Sequence, residues 1–198
     1  MNKTNTNLRP ETDVVKITER TNSGVQVLST SRLTIGYILS GTKYLHHNDR
    51  CTAIEEGNLF VLDAGHHYEE NCIGERGVFE QILFYTTATT LQRVIFGLNI
   101  NYGLSFSSSH SCPKCIGRNF AVRGGSETLT NFFVGIDISL RNSGLLHNDI
   151  GQRIKLNELI FLMLSESDNC VRRKILRSAD TISGHFMNII YENLFDDV

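Results

Sequence analysis

The sequence predicts an α+β fold: a small β-barrel or sandwich over residues 13–86, followed by a helical subdomain over residues 87–198. Short β-branched and aromatic runs separated by turn residues fill the first segment, and the apolar period lengthens to helical spacing at Thr89. At 198 residues and 40% apolar composition, the chain can bury a substantial core.

The strand-like runs come in order: Val14–Thr18, Val25–Leu28, Leu33–Leu39, Thr42–His46, Cys51–Ile54, Asn58–Leu62 and Val78–Tyr85. Ser40-Gly41 is a two-residue break of the kind that makes a hairpin, and Glu56-Gly57 does similar work before Asn58. The last run has Val78, Ile82 and Phe84 on one face and Phe79, Leu83 and Tyr85 on the other, so it predicts cover on both sides, with helices supplying one of them.

Beyond Thr89, Leu91, Val94, Ile95 and Leu98 are spaced as one helical stripe, and Gly103 ends it. A second helix is predicted over 127–142, capped by Ser126, with Leu129, Phe132, Phe133, Ile136 and Leu140 as its stripe and Gly144 as C-cap. A third covers 152–165, a fourth 169–177 and a fifth 181–194, while residues 105–125 read as a loop. In the third helix Leu159 to Leu164 is apolar around the whole circumference, which calls for burial by neighbouring helices or by a second copy of the chain.

A formal charge of −2 argues against a surface for nucleic-acid phosphates, so no direct nucleic-acid binding is expected of this chain. The polar start MNKTNTNLRPET lacks an apolar signal segment and no run approaches a membrane span, which predicts a soluble, cytoplasmic protein. Five cysteines without a secretion signal predict reduced thiols.

The chemistry-bearing residues are two histidine pairs and one C-x-x-C. His46 and His47 are adjacent, as are His66 and His67, so on a strand each pair points to opposite faces and holds one ion poorly. His46 with His66, or His47 with His67, could converge from neighbouring strands. Cys112 and Cys115 offer two thiolates with His110 nearby, but a closed zinc site needs four ligands and there is no second C-x-x-C. The run Arg172-Arg173-Lys174 reads as a solvated helix face. No phosphate-binding loop, nucleophile elbow or zincin motif occurs.

The stretches GYILSGTKYLHH and AIEEGNLFVLDAGHHYEE, with Gly41, Ile54 to Leu59 and Leu62 to His66 at the turns, resemble the N-terminal cupin-like domain of AraC/XylS-type transcription regulators. The following TLTNFFVGIDISLRNSGLLHNDIGQRIKLNELIFLMLSE, with Lys155 to Leu159 as its K-L-x-E-L, is similar to the helical part of a subgroup, and HFMNIIYENLFDDV resembles the stretch that opens the DNA-binding half. The paired helix-turn-helix domain that would follow is absent from this chain. The resemblance implies a non-enzymatic regulatory portion without a cofactor, which senses a small-molecule effector or a regulatory protein, forms a homodimer, and governs a DNA-binding domain.

On that reading the expected ligand-binding residues are Tyr37, Tyr44, Phe60, His66 and His67, and the expected dimer interface is Leu159, Ile160, Leu162 and Met163. The alternative is a cupin-type metalloenzyme, an isomerase or dioxygenase, using His46, His66 and Glu69.

Overall fold

The structure is a computed structural model, and it describes residues 11–113, 117–142, 146, 148–166 and 169–180. The expected fifth helix, the expected cap Gly144 and Cys115 lie outside the described residues. Among the described residues, strands β1 (Thr12–Glu19), β2 (Val25–Thr30), β3 (Leu33–Ser40), β4 (Thr42–His47), β5 (Arg50–Glu55), β6 (Asn58–Leu62), β7 (Gly65–Cys72) and β8 (Phe79–Thr86) precede helix α1 (Ala88–Tyr102). Strand β9 (Phe120–Gly124) and helices α2 (Glu127–Arg141) and α3 (Asp149–Ser165) follow. Residues 170–180 are helical as well.

The strands form two antiparallel sheets, one in the order β1-β8-β3-β6-β9 and one in the order β2-β7-β4-β5, which face each other without closing into a barrel. Period-two patterning gives the five-stranded sheet two apolar faces. Ile35, Tyr37, Leu59, Val61, Ile82 and Phe84 point toward the helices, whereas Ile38, Phe60, Leu62, Phe79 and Leu83 point into the sandwich and meet Leu45 and Ile54 from the other sheet. The cover expected on both faces of β8 is therefore present. Its helical side is aromatic: Phe84 lies edge-on to Phe133 at 6.1 Å, and Phe132 and Phe133 are T-shaped at 5.2 Å.

Two expected hairpins are corrected. Ser40-Gly41 and Glu56-Gly57 each carry the chain from one sheet to the other, since β3 pairs with β6 and β8 while β4 pairs with β5 and β7. Gly41 sits at φ 85°, where a Cβ would stand 2.4 Å from the Cys72 carbonyl oxygen. The true two-residue hairpin joins β4 to β5 through Asn48, at φ 53°, and Asp49.

The helices begin at side-chain caps: Thr87 Oγ1 accepts from Thr90 N–H at 3.1 Å, Ser126 Oγ from Leu129 N–H at 3.2 Å, and Asn148 Oδ1 from Gly151 N–H at 2.7 Å. Gly103, left-handed at φ 65°, closes α1 as expected. The segment expected as one loop contains β9, which pairs with β6, so the second segment of the chain completes the sheet of the first.

Helix α3 contacts β1, α1 and α2. Leu156, Leu159, Ile160, Met163 and Leu164 are each at most 1% exposed in the core that the helices share with the sheet. This corrects the expected interface: Leu159, Ile160 and Met163 are covered by their own chain and offer no surface to a second copy. Leu162 is partly buried against the same core.

Candidate functional site

The structure separates the five expected ligand residues. Phe60 and His67 face the sandwich interior, 0% and 4% exposed. Tyr37 faces the helices, stacked on Phe133 at 4.5 Å, and its hydroxyl donates to Thr130 Oγ1 at 2.9 Å. Tyr44 alternates with the inward residues Lys43 and Leu45, and so lies on the outer face of β4. His66 is exposed on the outer face of β7, its Nδ1 2.7 Å from Ser29 Oγ. The histidines therefore sit on a strand rather than at a turn. The expected strand list omitted β7 because its inward residues, His67, Glu69 and Asn71, are polar.

The metalloenzyme trio is likewise dispersed. His46 and His66 lie on the outer face, where His46 Nε2 is 3.8 Å from Glu70 Oε2, while Glu69 points inward. They do not converge on one point.

Glu69 serves a different partner. Lys43 Nζ, whose side chain is 1% exposed, lies 2.7 Å from Glu69 Oε2. Nζ also donates to Asn71 Oδ1 at 2.8 Å, and Asn71 Nδ2 donates to Glu19 Oε1 at 2.8 Å. The ammonium stands 5.8 Å from the Phe60 ring centre and 5.7 Å from that of Phe79. Burial pushes the Lys43 amino group below its ordinary pKa, and the charges of Glu69 and Glu19 oppose that fall. Burial also raises the Tyr85 hydroxyl, with Glu69 adding to the rise.

The open concavity lies at one mouth of the sandwich, a groove of 860 Å³ where the β2–β3 and β6–β7 turns, the start of α1, the approach to β9 and helix 170–180 meet. Arg32, Arg118, Arg173, Lys174 and Arg177 line it, against the single acid Asp63. The expectation of a solvated Arg172-Arg173-Lys174 face is corrected here. Arg172 donates to the Glu166 carbonyl at 3.0 Å and Arg173 to the His110 carbonyl at 2.7 Å, while Lys174 reaches Asp63 Oδ2 at 2.6 Å and the Arg118 carbonyl at 3.0 Å. These side chains bind the final described helix to the mouth. Sequence reasoning missed the groove because its lining comes from five separated segments, with no local motif.

A second concavity of 590 Å³ lies between α1 and α3, lined by Val94, Leu98, Tyr102, Leu104, Asn157 and Phe161 among others. The surrounding surface is apolar. Phe96 is 65% exposed and Ile100 64% on α1, and Ile150 is 70% and Ile154 50% on α3.

Among solved structures, the fold is similar to apo ToxT K231A from Vibrio cholerae, with 7% identity and a TM-score of 0.54 over 80% of this chain and 60% of that one. It is similar also to the AraC-like transcriptional activator CuxR, with 14% identity and a TM-score of 0.49 over 79% of this chain and 54% of that one. The chain thus spans about 60% or less of these proteins' length, and at such identities the likeness is one of fold. No curated protein sequence matches the chain. The sequence does match the family described as the ExsA N-terminal regulatory domain, over residues 34–171, from β3 through α3 to the start of the final described helix. The chain belongs to that family, and is a regulatory N-terminal domain of the AraC type.

Proposed function

We propose that the chain senses a small anionic effector in the mouth groove and self-associates through the α1–α3 face, and that both events govern a DNA-binding domain outside this chain. The observation that carries the reading is the groove, with five cationic side chains against one acid in a volume suited to a metabolite-sized ligand. Its wall includes helix 170–180, so an effector's negative charge bears directly on the element that leads out of the domain. A ligand that binds one placement of that helix better than another shifts the population toward it. A transcription regulator works beside its DNA, so a cytoplasmic location goes with this reading; among the described residues no helix is long and apolar enough to cross a membrane.

Self-association fits the exposed residues of α3, Ile150, Ile154 and Phe161, which recur at helical spacing opposite the buried Leu156, Leu159 and Met163. A second copy is the occupant proposed. If the protein sediments as a monomer, the face belongs instead to a regulatory protein.

Thermal unfolding in the presence of oleate, citrate and a cyclic dinucleotide tests the groove. An effector at a hundred times its Kd adds about 2.7 kcal/mol. For a chain of this size that raises Tm by roughly 5–10 °C. Arg177→Glu should abolish the rise measured against its own unliganded Tm. A rise that survives Arg177→Glu, or no rise with any of the three, would sink the groove as the effector site.

A further inference from the structure

The C-x-x-C stretch lacked ligands in the sequence, and the fold supplies one from sixty residues away. His110 Nε2 lies 3.1 Å from Cys170 Sγ. One ligand atom each from His110, Cys112 and Cys170 fall within 4.8 Å of one another, all three residues half-buried. Both sides of the cluster are held in place: Arg173 donates to the His110 carbonyl at 2.7 Å, and Asn169 Oδ1 accepts from the Val171 and Arg172 N–H groups at 2.9 and 3.0 Å, capping the helix on which Cys170 stands. Cys170 stands in the first turn of that helix, whereas Cys51 and Cys72 lie on strands, where burial and then Glu70 raise both of their thiols.

We propose that His110, Cys112 and Cys170 form a Zn²⁺ site in the reduced protein. Two thiolates and one imidazole are a zinc donor set. In a tetrahedral site the sulfur and nitrogen ligands stand about 3.6–3.8 Å apart, so the observed spacing closes onto one ion with shifts of less than about an ångström. Cys170 is disulfide-bonded in this structure, so the metal belongs to the other redox state. Two electrons and two protons from a dithiol reductant convert that disulfide to two thiols. Zinc then displaces the protons of Cys112 and Cys170 and takes both sulfurs as ligands. The bound ion would fasten the segment before β9 to helix 170–180, and with it the Arg173–Lys174 wall of the groove.

The test uses the full chain, purified with a phosphine reductant, supplied with Zn²⁺ and desalted, with metal counted by inductively coupled plasma mass spectrometry. About one zinc per chain is expected. Replacement by Co²⁺ should give sulfur-to-cobalt charge-transfer absorption and the intense visible bands of a tetrahedral ion. Cys112→Ser and Cys170→Ser should each remove charge-transfer intensity, and His110→Ala should weaken zinc binding at least tenfold against a competing chelator. Cys51→Ser and Cys72→Ser should change nothing. The wild-type cobalt spectrum reports thiolate ligation without any variant, so a substitution that prevents folding does not decide the matter. A reduced wild type well short of one zinc, or a cobalt spectrum without thiolate bands, overturns the site; so does metal binding indifferent to both Cys112→Ser and Cys170→Ser.

Discussion

Replacing Lys43 with methionine isolates the buried ion pair from the packing around it. Methionine keeps most of the aliphatic stem against Phe60 and Phe79 but removes the charge that neutralises Glu69, whose side chain is 7% exposed. At the observed 2.7 Å the gross attraction is about 6 kcal/mol for an effective dielectric of 20, and desolvation of two ions offsets much of it. What the variant measures is therefore the cost of a buried carboxylate left alone, about 3–5 kcal/mol. Urea unfolding followed by circular dichroism at pH 7 reads that loss, and Lys43→Met/Glu69→Leu should recover most of it because neither charge is then stranded. The same pair sets a pH signature. Burial holds the folded Lys43 pKa below its ordinary value, so between the two values the unfolded chain binds more protons and stability rises with pH. Lys43→Met should flatten that rise relative to the wild type. A single variant within about 1 kcal/mol of the wild type, or a double variant no better than the single, would refute the reasoning.

Asp137 gives the acid-side counterpart. Burial alone would raise its carboxyl, but hydrogen bonds and charges from Lys16 and Arg141 outweigh burial and hold it below the ordinary value. Its contribution is complete above the unfolded carboxylate pKa and is lost as pH falls through the folded value, so Asp137→Asn should flatten the decline of urea midpoints between pH 7 and pH 3; an unchanged slope would contradict this. Gly36→Ala would place a Cβ 2.1 Å from the tip of the Phe60 ring, and overpacking of this kind costs about 1–3 kcal/mol, with Gly36→Ala/Phe60→Leu recovering part of the loss in the same assay. On α3, Leu159→Lys should abolish folding, whereas Ile154→Lys should keep the circular dichroism spectrum and reduce the sedimentation mass; the opposite pattern would restore the buried stripe as the interface.

Elements whose side chains follow one period were legible in the sequence. Strand β6 appears with the expected limits, and α2 begins at the expected cap Ser126. Strand β7 was missed for a physical reason. Its interior residues are His67, Glu69 and Asn71; Glu69 and Asn71 meet Lys43 of the neighbouring strand β4 and His67 Nε2 lies 2.8 Å from the Asp63 carbonyl oxygen, so its alternation is polar within and carries no hydrophobic period. The all-apolar turn of α3 was expected to be buried on every side; Leu159, Ile160, Met163 and Leu164 are buried against β1, α1 and α2, whereas Phe161 is 39% exposed, and a sequence does not say which side the chain itself will cover. The groove was illegible for a different reason, since Arg32, Arg118 and Arg177 come from three separate segments and acquire a common meaning only in space.

That spatial meaning follows from how the final described helix is attached. Val171, Ile175 and Ala179 bury their side chains in the helical core, which fixes one face of the helix. On the side that lines the groove the attachment is polar, through Arg173 to the His110 carbonyl and Lys174 to Asp63 and the Arg118 carbonyl. Apolar packing is non-directional and tolerates sliding, whereas these charge-assisted bonds depend on the electrostatics of the mouth. The effector anion proposed for the groove would compete with Asp63 for Lys174, the contact that joins the helix to the β6–β7 turn. The metal proposed at Cys170 would act on the first turn of the same helix. Effector and metal would therefore converge on one element, and each would change the affinity for the other by the same factor, as linkage requires.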